Sequence, residues 1–234
     1  MSSPSPPTPA ALAAATALML AAGCAPEPAR DPFTATGQVI AFSGGDAGAS
    51  RACFTCHGLQ GEGDGRASPR LAGLPAGYLQ RQLIDYADGR RSDKLMSPIA
   101  KALDDDDRRA VAAYYAALPA PVPARTEAAA ETAAAARLYR LGAPERGLPA
   151  CATCHGEAGE GLGPANPPLA GQPAAYLAEQ LKRWRRSERR NDPQNVMLAV
   201  SRRLTPAEVE RISRYVSALG PAAAPAAGFQ AASR

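Results

Sequence analysis

Apolar residues recur along this chain at helical spacing, and the blocks come in pairs. Leu79, Leu83 and Tyr86 follow Pro75, and Leu177, Leu181 and Trp184 follow Pro173. Steps of three and four place each set on one face of a helix. A second pair closes each half. Thr205-Pro-Ala-Glu208 is a capping box with proline at the first helical position, leading into Val209, Ile212, Val216 and Leu219. Asp104 to Asp107 opens the earlier copy, followed by Val111, Tyr114, Tyr115 and Leu118. Those four aspartates read either as an acidic binding patch or as charge compensation at a helix N-terminus, and the second is the simpler account. Thr126–Leu141 predicts a further helix, with Thr126 as N-cap and Gly142 as its stop. Gln38–Phe42 predicts a short helix, after which Gly44, Gly45 and Gly48 break the run. The pattern predicts an all-α chain.

The pairing is a tandem duplication. A shift of 98 positions lays His57 on His155, Pro69 on Pro167, Leu71-Ala-Gly73 on Leu169-Ala-Gly171, Tyr78-Leu79 on Tyr176-Leu177 and Gln82-Leu83 on Gln180-Leu181. A three-residue insertion moves the shift to 101, which lays Met96 on Met197, Leu103 on Leu204 and Tyr114 on Tyr215. Two units are too few for a solenoid. The boundaries predicted are 37–118 and 126–220 for the two units, with a Pro-rich linker at 119–125 and a disordered Ala- and Pro-rich tail at 221–234. Residues 1–24 read as an export signal whose apolar core is Ala10–Ala22, and 25–36 as a flexible lead-in. No segment reaches the roughly 20 apolar residues that span a membrane.

With the leader removed, the 234-residue chain is long enough for two domains of about 100 residues each. Aromatics are only 5%, a thin supply for two small cores. A large flat apolar cofactor in each would make up the interior. Net charge is +4, and the basic excess centres on Lys182–Arg190. That run reads as a solvated helix face whose cations offset the acid groups of such a cofactor, or as a docking site for an acidic partner. Nucleic-acid binding is a poor reading for an exported chain.

The candidate chemistry sits at the start of each unit, in Cys53-Phe-Thr-Cys56-His57 and Cys151-Ala-Thr-Cys154-His155. C-x-x-C-H is the attachment signature of c-type haem: each thiol adds to one vinyl group, and the histidine then faces the iron. A redox thiol pair or half of a zinc site are the alternatives. Two copies in matching surroundings argue against both, since a redox pair has no use for the histidine and a zinc ion would have to bridge the repeats. Both histidines of the chain lie inside these motifs, so a sixth ligand must be something else. Met1 and Met19 fall in the leader, which leaves Met96 and Met197 as one thioether per unit. Methionine is often core filler, but this one-per-repeat placement favours ligation. Gly58–Gly65 and Gly156–Gly163 are Gly-rich loops, expected to let backbone pass close to the cofactor.

These motifs, with proline and leucine, then methionine, then a closing helix, match the class I cytochrome c pattern. Duplicated in an exported chain, the sequence resembles the dihaem cytochrome c4 family from about Ala35 to Gly220. The resemblance implies two tandem class I cytochrome c-like domains, each wrapped around one covalent haem c. It implies His57 and His155 as proximal ligands and Met96 and Met197 as distal ones. It also implies that the carbonyls of Pro69 and Pro167 accept the imidazole N–H and so orient the rings.

An iron with four porphyrin nitrogens, histidine and methionine has no open position, so the expected function is electron transfer in the periplasm, not enzymatic catalysis. Partners are then redox proteins: a quinol-oxidising or dehydrogenase donor, and an oxidase or reductase acceptor. A cytochrome subunit of a dehydrogenase complex is the alternative. A dihaem redox enzyme, such as a peroxidase or a thiosulfate-oxidising cytochrome, is disfavoured because neither a third histidine nor a further cysteine within the two units serves an open site. Cys24 is the fifth and unmatched cysteine. Leu20-Ala-Ala-Gly-Cys24 resembles a lipoprotein cleavage site, which makes Cys24 a candidate lipid anchor; an ordinary export signal is the alternative.

Overall fold

The computed structural model describes residues 32–121, 133–163 and 165–219. The expected signal with Cys24, the Thr126 cap, the tail and most of the linker lie outside the described residues. Within them the chain is helical, and the β-type pairing is confined to isolated bridges. The first half consists of α1 (Pro32–Ser43), a single turn α2 (Phe54–His57), α3 (Ala76–Ala87), α4 (Met96–Ala102) and α5 (Asp105–Ala117). The second repeats the order with α6 (Ala133–Leu141), the single turn α7 (Ala152–His155), α8 (Ala174–Arg185), α9 (Val196–Arg203) and α10 (Pro206–Ser217).

α1 starts six residues before the helix that the pattern predicts. Tertiary packing explains the difference. A side chain at Gly37 would overlap the Ala110 carbonyl and crowd Tyr114, so glycine is what lets α1 cross α5 backbone to backbone. Ile40 and Ala41 then bury against Ala110, Val111 and Tyr114. Propensity along this stretch is weak, and the crossing overrides it.

The closing helices follow their start signals. Thr205 accepts from the Glu208 N–H at 3.2 Å while the Glu208 carboxylate accepts from the Thr205 N–H at 2.8 Å, completing the capping box. Asp104 caps α5 by accepting from the Asp107 N–H at 2.8 Å. Asp105 and Asp106 pair with Arg108 and Arg109, so the acidic run works within its own helix. In the second half α6 and α8 pack on α10, with Tyr139, Leu177, Ile212 and Val216 at the centre.

α3 departs from its apolar pattern. Leu79 and Tyr86 are buried, but so are Gln82 and Asp85, and Leu83 is only partly so. The polar pair belongs to a seam between the halves. There Arg70 N–H donates to Gln172 Oε1 at 3.1 Å, and Gln172 Nε2 donates back to the Arg70 carbonyl at 2.9 Å. Arg70 also donates to the Ala170 carbonyl at 3.1 Å. The segment after Pro69 is thereby stitched to the segment after Pro167.

Candidate functional site

Each C-x-x-C-H motif forms one helical turn. His57 N–H donates to the Cys53 carbonyl, and His155 N–H to that of Cys151, both at 2.9 Å. The turn brings the first thiol and the histidine, four residues apart, onto one side. Cys53 and Cys151 are half-buried, and Cys56 and Cys154 are exposed. Burial pushes the Cys53 and Cys151 thiols up to about 11. No disulfide bond joins any of the four.

The imidazoles are buried and oriented. His57 Nδ1 donates to the Pro69 carbonyl at 2.9 Å, and His155 Nδ1 to the Pro167 carbonyl at 3.0 Å. A carbonyl can only accept, so this bond fixes the tautomer and leaves Nε2 for a metal. Burial lowers both histidines below their ordinary value, against the opposing effect of the carbonyl bonds, and so favours the neutral, ligating form.

The Gly-rich loops fold back on their own backbone. A Cβ at Gly63 would lie 2.7 Å from the Ser68 carbonyl oxygen, and one at Gly161 would lie 2.6 Å from the Pro168 nitrogen. Both residues have a φ of 83°. Their glycines let the loop fold back on its own backbone, and Gly63 and Gly161 donate to the His57 and His155 carbonyls at 2.7 and 2.8 Å. The loop braces the histidine turn.

Met96 and Met197 are half-buried near the starts of α4 and α9. Their backbones are pinned by aspartates that the sequence reading passed over. Asp93 accepts from the N–H groups of Leu95 and Met96 at 2.9 and 3.0 Å, and Asp192 accepts from Met197 N–H at 2.8 Å. Asp93 also pairs with Arg183 of the other half at 3.0 Å. Burial would raise the Asp93 carboxyl, but these donors outweigh it and hold it below the usual range. Leu95 and Val196, one residue before each methionine, stand 71% and 46% exposed.

Cys53, Cys56, His57 and Met96 line one cavity of about 410 Å³ in the first half. Leu71, Leu79, Leu83, Ile99, Leu103 and Val111 form its apolar walls. Two thiols, an imidazole, a thioether and apolar walls in one cavity fit haem c. The polar end of this cavity reaches the seam, where Tyr78, Gln82 and Arg91 meet Tyr176 and Gln180.

The Lys182–Arg190 run is partly engaged within the fold, with Arg185, Arg186 and Arg190 exposed. Lys182 pairs with Glu210, Arg183 with Asp93 and Glu179, and Arg186 with Glu179 and Glu188. Arg185 donates to the Leu204 carbonyl at 3.0 Å, and Arg189 is buried.

The family model described as Cytochrome c matches residues 44–118 and 133–220. A thiosulfate dehydrogenase electron acceptor of Stutzerimonas stutzeri (strain A1501) is 46% identical over 190 residues, which cover 80% of this chain and 87% of that protein. Cytochrome c4 of Thiocapsa roseopersicina is 38% identical over 181 residues, 75% of this chain and 91% of that one. Among solved structures, reduced recombinant cytochrome c4 from Pseudomonas stutzeri matches at TM-score 0.69 and 31% identity, covering 79% of this chain and 97% of that chain. Thiosulfate dehydrogenase (TsdBA) from Marichromatium purpuratum matches at TM-score 0.70 and 40% identity over 82% of this chain, which spans 41% of that larger one.

Proposed function

The chain belongs to the dihaem cytochrome c4 family, and on that premise we propose that it is a periplasmic electron acceptor for a thiosulfate-oxidising dehydrogenase, with His57 and Met96, and His155 and Met197, as axial ligands. It is an electron-transfer protein that carries two covalently bound haem c groups, one on Cys53 and Cys56 and one on Cys151 and Cys154. The observation that favours this donor is the 46% identity to a thiosulfate dehydrogenase electron acceptor over most of both chains.

Bound haem supplies a one-electron iron couple at each site. The residues hold that couple rigid. The carbonyls of Pro69 and Pro167 orient the imidazoles, while Asp93 and Asp192 hold the methionine turns. A soft thioether as sixth ligand raises the reduction potential, and apolar walls line the first of the two sites. Leu95 and Val196 offer exposed apolar contact beside the methionines, where a donor can approach closely.

The test mixes the oxidised holoprotein with a thiosulfate dehydrogenase and thiosulfate in a stopped-flow spectrophotometer. Both haems should reduce at least ten times faster than those of an unrelated His/Met cytochrome at equal driving force. Equal rates would sink the assignment of the donor.

A fixed subunit of a dehydrogenase assembly is the second reading, favoured by the match to part of a larger thiosulfate dehydrogenase chain. Copurification of the two proteins at nanomolar concentration would select it. Export and tethering belong to the same proposal: Cys24 follows an apolar leader, and lipidation there would hold the carrier at a membrane face. A mature N-terminus beyond residue 24 would exclude the tether.

A further inference from the structure

Each methionine stands at the end of a loop that leaves the seam, and the two loops are built differently. Arg91 and Arg189 meet in an isolated antiparallel bridge, so both loops start from equivalent points. The first runs Arg91-Ser-Asp-Lys-Leu-Met96 and the second Arg189-Arg-Asn-Asp-Pro-Gln-Asn-Val-Met197, three residues longer. No residue from Arg91 to Met96 has a positive φ. In the longer loop Gln194 and Asn195, adjacent in a 3-10 turn at Pro193–Asn195, both stand at a φ of 56°. Ser187, just ahead of that loop, has a φ of 59° where the equivalent residue of the first half is Gly89. Among the described residues these three are the non-glycines with positive φ. A residue with a Cβ is strained in that conformation, which persists only where the surroundings impose it.

The surroundings hold the first loop more firmly than the second. Both carboxylate oxygens of Asp93 are engaged, Oδ1 by the Leu95 and Met96 N–H groups and Oδ2 by Arg183 at 3.0 Å. Arg183 also donates to the Ser92 carbonyl at 2.8 Å, so the second half clamps the loop of the first. Asp192 accepts from the Met197 and Leu198 N–H groups through Oδ2 alone. Its Oδ1 is buried with no donor, and among the described residues no cation pairs with it. Opening the second loop therefore relieves strained backbone and returns a buried carboxylate oxygen to water, whereas opening the first breaks a clamp across the seam. Cations border the second loop. Arg190 and Arg202 are exposed, Arg202 reaches Ser187 Oγ at 3.4 Å, and neither pairs with a carboxylate among the described residues.

We propose that the second site can open: Met197 gives up its place on the iron to a small inorganic anion, attracted by Arg190 and Arg202, while Met96 stays bound. The thioether leaves with its lone pair and the anion supplies another, so no electron changes hands. Negative charge at the iron favours the oxidised state, so a bound anion would withdraw the second haem from electron transfer. This rests on His/Met ligation of both haems and is independent of the protein that reduces them.

The test uses cyanide as the anion, in excess over the oxidised holoprotein, with the Fe–S charge-transfer band as readout. At saturating cyanide the rate of binding is the rate at which methionine leaves. Half of the band should disappear at least about ten times faster than the rest, the scale set by strain of this kind. Met197→Ala should keep only the slow phase. The double variant Gln194→Gly with Asn195→Gly should slow the fast phase about tenfold, since glycine takes a positive φ without strain. Should that variant fail to fold, Ser187→Gly should slow the same phase. Arg183→Gln, which releases Asp93, should speed the slow phase instead. Loss of the whole band at one rate, a fast phase that survives Met197→Ala, or one unaltered by the glycine substitutions would overturn the inference. Arg202→Gln should weaken cyanide affinity in the fast phase alone, and an unchanged affinity would overturn the preference for an anion. An oxidised wild type with no Fe–S band would count against His/Met ligation itself.

Discussion

Met96 and Met197 are the residues whose role is most directly open to measurement. Each is the sole thioether its half offers among residues 25–234, and each is held through its backbone by an aspartate. Met96→Ala and Met197→Ala should each remove about half of the Fe–S charge-transfer absorbance, lower the potential of the haem in the same half, and admit carbon monoxide to that iron. Retention of the full band in both variants would refute the ligand assignment. The cysteines and histidines of the attachment motifs were legible in the sequence because haem attachment needs fixed residue types at fixed spacing, and the methionines stood out only by their placement, one per repeat. Asp93, Arg183 and Arg91 were not. Their partners lie on turns or across the seam, and a buried polar residue leaves no trace in a hydrophobic period. The signal that could have found Arg91 is its coincidence with Arg189 when the two copies are aligned, as for Tyr78 with Tyr176 and Gln82 with Gln180.

At the scale of elements, start signals predicted more than propensity did. Both closing helices begin at the residues their caps mark, whereas α1 runs past a glycine that a propensity scale would take as a break. Gly37 is tolerated because the crossing with α5 requires it. The cap of α10 also carries a pH dependence. Hydrogen bonding from Arg146 is the main reason Glu208 is lowered to about 2, from an ordinary value of 4.5. A carboxyl lowered in the folded state contributes its full stabilisation above pH 4.5, and that contribution is lost as pH falls toward 2. The pair is partly exposed, so screening keeps the effect modest. Glu208→Gln should flatten the acid limb of the stability curve between those values. Thr205→Ala should cost about 1 kcal/mol at neutral pH. Chemical denaturation at a series of pH values checks both, and an unchanged acid limb in Glu208→Gln would remove the pair as the cause.

At the scale of the molecule, the two halves share a polar seam, and this makes them more than two beads on a linker. A polar seam loses little by opening if its groups can return to water, but much if they stay buried without partners. Gln172 sits at such a point. It is 3% exposed, and its amide satisfies both the N–H and the carbonyl of Arg70, the residue directly after the carbonyl that orients His57. Gln172→Ala would leave that donor and acceptor facing each other's empty space. The expected cost is about 1 to 3 kcal/mol, the penalty for buried groups left unpaired. The loss falls on the seam and not on either core, since Ile40, Val111, Tyr139 and Ile212 are untouched by it. Calorimetry of the wild-type holoprotein should therefore show one transition, and of Gln172→Ala two, with the haem spectra of both halves preserved at low temperature. A single transition in the variant, displaced no more than that of an exposed control such as Gln60→Ala, would show that the halves are coupled through some other contact. Because Arg70 and Pro69 are adjacent, the same variant should also broaden the redox wave of the first haem, as its imidazole loses a fixed orientation.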